Sequence, residues 1–98
     1  MISNSSYETV AASQTDQALG PAGAAGDYLD RLIIKVNTAA TATVDIQDGA
    51  QTAIPIMPAS PGGGVGVYVV ELKAYSRAGA WSVTTGAGAT VLAIGNFT

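Results

Sequence analysis

The chain has 98 residues, enough to bury one hydrophobic core and no more. Charge is sparse at 11%, with four bases against seven acids and a net charge of -3. A phosphate-binding surface needs a dense cationic stripe, so nucleic acid is not expected as a partner. There is no cysteine and no histidine, which removes disulfides, thiolate nucleophiles, zinc-thiolate sites and the imidazole of the usual hydrolase triads.

Residues 1–30 hold four acids and no base, and residues 1–19 are rich in Ser, Thr, Gln and Ala. This beginning is polar where a secretory signal would be basic and then apolar, so folding in a reducing cytoplasm is expected. Tyr7, Val10 and Leu19 are too widely spaced to form an apolar face, and the segment reads as an extended N-terminal arm whose apolar residues contact a partner. Ser5-Ser6-Tyr7-Glu8 also fits a capping box, which would open a short helix over roughly 6 to 13. Gly20 to Gly26 holds two collagen-like triplets, too few for a triple helix, and reads as a linker. The expected organisation is therefore an arm and Gly/Ala-rich linker over 1–27 and a folded body over 28–98.

In the body, Tyr28 to Val36 predicts a strand with Leu32, Ile34 and Val36 on one face and Arg31, Ile33 and Lys35 on the other. Thr41 to Gln47 alternates with Ala42, Val44 and Ile46 inward. Asp48-Gly49 carries the chemistry of a hairpin turn, leading to a return strand over Ala50 to Met57. Pro55 cannot donate to a ladder, which places that strand at a sheet edge and makes Ile54, Pro55 and Ile56 candidate contacts. Pro58 to Gly64 is a turn-rich loop. Val67 to Tyr75 then predicts a long strand with Tyr68, Val70, Leu72 and Ala74 on one face. Ala80 to Thr85 carries Trp81 and Val83 inward, and Ala89 to Phe97 forms the last strand. About six strands with short connections predict an all-β fold, a single antiparallel β-sandwich of jelly-roll or immunoglobulin-like character. No run reaches the ~20 apolar residues of a membrane span, so no membrane partner is expected.

Chemistry is thin along this chain. Asp27/Asp30 and Asp45/Asp48 are the available carboxylate pairs, but Asp48 already serves a turn and Asp27 a strand entry. Asp45 to Gly49 has only fragments of a calcium loop. Gly62 to Gly66 lacks the Lys-Ser/Thr and following helix of a phosphate cradle. Asn4 and Asn96 begin glycosylation triplets that have no secretory context. No enzyme activity, cofactor or metal is expected. Alternation directs Trp81 and Tyr68 inward and leaves Tyr75, with Arg77 nearby in sequence, as surface contacts. Unpaired sheet edges and low-charge faces of Ala, Gly and Thr are features of assembly.

Three stretches carry a resemblance: Ala12 to Gly20, Gly23 to Leu29, and Tyr75 to Gly86, with Ala93-Ile94-Gly95-Asn96-Phe97 at the end. In them the chain resembles small structural proteins of tailed bacteriophages, of the kind associated with capsid decoration. That likeness implies a decoration or cement protein on the capsid surface of the virion, made in the host bacterial cytoplasm and bound through its arm and sheet edges. Its partners would be the major capsid protein or other virion proteins, and it would form a homo-oligomer, a trimer by the habit of such proteins. On this reading, deleting residues 1–19 leaves a folded body that no longer attaches to shells. The alternatives are a head-fibre, neck or tail component, or a carbohydrate-binding adhesin using Tyr75, Arg77 and the loop from Pro58 to Gly66.

Overall fold

The computed structural model describes residues 6–20, 25–38, 41–57 and 65–97. Among them eight strands follow one another: β1 (Ser6–Val10), β2 (Gln17–Ala18), β3 (Tyr28–Val36), β4 (Val44–Asp48), β5 (Ile54–Met57), β6 (Gly66–Tyr75), β7 (Trp81–Thr85) and β8 (Ala89–Asn96). The alternation of apolar residues does what it predicts. Ala42, Val44 and Ile46 are buried before and along β4, Trp81 and Val83 are buried on β7, and β6 alternates half-buried with exposed residues throughout. β5 starts four residues later than expected because Asp48 to Gln51 is a tight turn. The Gln51 amide donates to the Asp48 carbonyl at 2.9 Å, and Gly49 takes the positive φ, 55°, that the Asp-Gly pair foretells. A side chain at Gly49 would also meet the Ala78 backbone at 2.6 Å.

Every strand pair is antiparallel. Sheet A has the order β1-β8-β3-β6 and sheet B the order β2-β7-β4-β5. The partnerships first-with-eighth, second-with-seventh, third-with-sixth and fourth-with-fifth are those of one antiparallel ribbon doubled back on itself. Wrapping that ribbon into two facing sheets gives the two Greek keys of a jelly roll. An immunoglobulin-like sandwich divides its strands differently between the sheets, so of the two expected sandwiches the jelly roll is the one formed. Pro55 lies where its missing N–H predicts, on the edge strand β5 of sheet B.

The expected N-terminal arm is overturned wherever it is described. Residues 6–10 are β1, in register with β8 from Ser6 opposite Gly95 to Val10 opposite Val91, and β2 pairs with β7. Val10 and Leu19, expected as partner contacts, are fully buried core residues. The corner between the two strands is bonded along its length. The Thr85 hydroxyl donates to the Ala11 carbonyl at 2.6 Å, the Thr85 amide to the Gln14 carbonyl at 2.8 Å, and the Leu19 amide to the Trp81 carbonyl at 2.8 Å. Ser13 and Asp16 adopt positive φ to make this corner. The short helix over 6–13 does not form. The Glu8 carboxylate accepts instead from Gln17 Nε2 at 3.0 Å and from the Gly20 amide at 2.8 Å, tying β1 to β2 across the rim of the sandwich. The cause is that strand addition draws on backbone hydrogen bonds, which any residue supplies, so two buried apolar side chains suffice to anchor a polar segment.

The boundary expected at residue 28 is likewise crossed by contacts. Asp27 is buried, and its carbonyl accepts from the Ser76 amide at 2.8 Å and from Trp81 Nε1 at 3.2 Å. Residues 21–24 of the expected linker and the expected loop over 58–64 lie outside the described residues.

Strict alternation along β3 would set Leu29 on the face of Ile33, yet Leu29 is fully buried with Leu32, Ile34 and Val36. The pairing of β3 with both β6 and β8 shifts between Leu29 and Arg31. Asp30 is the extra residue relative to β8, while on β6 Leu72 and Lys73 together stand against it, with Lys73 at φ 50°. This bulge resets the parity of the strand. Asp30 binds Arg31 Nε at 2.9 Å and Lys73 Nζ at 3.4 Å. The Arg31 guanidinium, helped by Lys73 and opposed by partial desolvation, holds the Asp30 carboxyl below the ordinary carboxylate range.

Candidate interaction surface

A jelly roll buries the inner faces of its sheets, so any partner must meet an outer face or an edge. Along β8 the inward residues are the small ones, Ala89, Val91, Ala93 and Gly95, all buried. β7, with the bulky Trp81, lies across the core from this strand. Leu92 and Ile94 consequently point outward. The register stacks the outer face of sheet A in rows. One row runs Thr9, Leu92, Ile33, Val69, and the next runs Tyr7, Ile94, Arg31, Glu71. A third holds Thr90, Lys35 and Val67, and beyond the bulge stand Asn96, Tyr28 and Tyr75.

The centre of this face is apolar. Ile33, Leu92 and Ile94 are half-buried by their own neighbours, while Val67 and Val69 on β6 are 62% and 56% exposed, and Tyr7 on β1 is 71% exposed. Arg31, Lys35 and Lys73 lie on the same side, together with the acids Asp30 and Glu71. The outer face of sheet B is of another kind. Asp45, Gln47, Ser82 and Thr84 occupy its centre, and Thr84 Oγ1 accepts from the Asp16 amide at 2.9 Å while donating to Asp16 Oδ1 at 3.1 Å. One sheet turns a polar face to its surroundings, and the other a face that is apolar at its centre with charges of both signs around it.

The residues expected as contacts divide between these places. Tyr7 is on the outer face of sheet A, as is Tyr75, 67% exposed and set against Tyr28 with ring centroids 4.8 Å apart and planes at 49°. Ile54 and Pro55 are exposed on the opposite sheet, and Ile56 packs against the core, so its expected role as a free contact is corrected. Arg77 is exposed in a turn whose backbone is held by Asp48. Both Asp48 oxygens accept from the Arg77 amide at 3.0 Å, and Oδ1 accepts from the Ala78 amide at 3.0 Å. Asp48 is thereby a structural residue of two turns, and Asp30 one of the bulge.

Sequence reasoning passed over Val67, Val69, Leu92 and Ile94 as a surface. A signal was present: Leu32-Ile33-Ile34, Val67 to Val70 and Val91 to Ile94 are unbroken apolar runs, and such runs mark strands covered on both faces. Among the described residues no group of three or more His, Cys, Asp or Glu is placed to hold a metal ion. Nor is any helix among them long and apolar enough to cross a membrane.

Comparison with protein-family models, with curated proteins and with solved structures found no match to this chain. Its class is therefore defined by its own geometry: a jelly roll, of eight strands among the described residues, with one polar outer face and one outer face that is apolar at its centre.

Proposed function

We propose that the chain is a virion structural protein, a capsid decoration protein that docks the outer face of sheet A on the shell of a tailed bacteriophage. One observation carries the docking: the strands of sheet A are apolar on both faces while, among the described residues, only the inner face is covered. A chain that keeps contiguous Leu, Ile, Val and Tyr at its surface gains free energy by burying them against a partner. The resemblance of Ala12 to Gly20, Gly23 to Leu29 and Tyr75 to Gly86 to phage structural proteins supports the shell as that partner. Arg31 and Lys73 are balanced on that face by Asp30 and Glu71, so apolar burial and not charge is what would attach it. The face takes over the attachment role expected of the arm, because residues 6–20 are part of the sandwich.

The test is binding of the purified chain to heads stripped of their decoration, read by co-sedimentation. Leu92→Glu, in the middle of the apolar row, is expected to abolish binding while circular dichroism shows an unchanged fold. Gln47→Glu on sheet B is expected to bind as the parent does. Full binding by Leu92→Glu would reject the docking face.

A carbohydrate reading keeps one specific support, the exposed Tyr75 beside Tyr28. The 49° between the rings makes this an edge of two planes, where a sugar platform needs a flat ring. Glycan-array binding that disappears in Tyr75→Ala would favour it over the shell.

A further inference from the structure

The sequence holds one Asp-Gly pair, Asp48-Gly49, and no Asn-Gly. In an Asp-Gly pair an aspartate closes readily on its own chain, because glycine puts no side chain beside the attacking amide. The fold requires both residues here. Gly49 lies at φ 55°, and a Cβ there would stand 2.6 Å from the Ala78 carbonyl carbon. Asp48 supplies the acceptor oxygens that hold the Arg77 amide at 3.0 Å and the Ala78 amide at 3.0 Å. The same contacts keep the reaction shut. The Gly49 amide, which would be the nucleophile, donates to the Ala80 carbonyl at 3.0 Å, and the Gln51 amide fixes the Asp48 carbonyl at 2.9 Å. Nucleophile and carboxylate are thus each bonded to the turn between β6 and β7 and held from one another.

We infer that Asp48-Gly49 is a site of isoaspartate modification, closed in the folded sandwich and exposed when the two turns at this end separate. In the step, the Gly49 nitrogen bonds to Asp48 Cγ. A carboxylate oxygen leaves as water, carrying the amide proton and one proton from solvent, and a cyclic succinimide remains. Water then reopens the ring. Opening at Cγ restores aspartate, and opening at the main-chain carbonyl carbon leaves isoaspartate, of the same mass as the parent. Water is the only co-reactant. The isoaspartyl chain runs on through Cβ and Cγ, and its carboxylate sits directly on Cα. That carboxylate is too short to reach the Arg77 and Ala78 amides while Gly49 keeps its bond to Ala80, so two buried-turn amides lose their acceptor. The modified chain cannot rebuild the clasp, and the turn that leads into the edge strand β5 stays open. Because only the opened form reacts, the rate of modification follows the population in which this end is open.

The test uses the full chain with no shell present. Purified protein is held at neutral pH with and without unfolding urea, and isoaspartate at residue 48 is read by peptide mapping and enzymatic methylation of isoaspartyl carboxyls. The unfolded chain should form it at least about tenfold faster than the folded chain. Gly79→Val should wedge the two turns apart, because a Cβ at Gly79 already stands 3.0 Å from Gly49 Cα. With its circular dichroism spectrum retained, that variant should modify at least about tenfold faster than the folded parent. Should Gly79→Val fail to fold, the parent itself decides. In urea too dilute to unfold it, hydrogen exchange of the Gly49 amide and modification at Asp48 should rise in parallel. Equal rates in the folded and unfolded parent would overturn the closed site. So would a folded Gly79→Val variant that modifies no faster than the parent, or Gly49 exchange that rises without modification.

Discussion

At the scale of single residues, the structure turns on side chains whose sequence neighbourhoods look ordinary. Leu19 sits in a polar stretch, between Ala18 and Gly20, and is fully buried. Its amide is bonded to the Trp81 carbonyl, so backbone and side chain are fixed together. Leu19→Ala should destabilise the fold by about 2–5 kcal/mol through lost apolar contact and the cavity left behind. Urea unfolding should show this as a lower midpoint at an unchanged slope. A substitution in a free arm would leave the midpoint where it was. Glu8 works in the same hidden way, closing the rim between β1 and β2 through Gln17 and Gly20.

At the scale of elements, β1 and β2 complete one edge of each sheet. Deleting residues 1–19 removes both strands together with Val10 and Leu19, and exposes β7 and β8. The truncated chain is expected to lose its cooperative thermal transition, the reverse of the stable body that an arm would leave. Dispersed amide resonances in the truncated protein would show that the sandwich holds without them. The bulge of β3 and β6 carries a pH dependence. The Asp30 carboxyl is held below its ordinary range, chiefly by Arg31. Its ionised form is thus favoured in the folded state, so its contribution is present above the unfolded-state value and is lost as pH falls below about 4. The side chains involved are partly exposed, so the effect is small. Thermal melts at pH 7 and pH 3 should show a smaller drop in Tm for Asp30→Asn than for the parent chain.

At the scale of the whole molecule, the two outer faces differ. The outer face of sheet B is polar, and that of sheet A is apolar at its centre. Docking through sheet A should be dominated by apolar burial, so calorimetry of shell binding should give a distinctly negative heat-capacity change. Binding carried by the scattered bases would instead weaken steeply with added salt and show little heat-capacity change.

Much of this fold was legible in the residues themselves. Side chains on a strand alternate strictly, so Val44 with Ile46, Trp81 with Val83, and Tyr68 with Val70 had to share faces. Asp48-Gly49 named a turn, and Pro55 named an edge, because backbone chemistry at those positions admits few alternatives. What only the tertiary structure decided was everything that depends on a distant partner. Residues 6–20 join the sandwich through backbone bonds that leave no mark on side-chain pattern. Asp30 is a bulge because of what stands opposite it on β6 and β8. Alternation groups Leu92 with Ile94 but is silent about which group faces the core. The packing of β8 across from Trp81 turned its small residues inward and its large ones outward, and so made the face on which the proposed function rests.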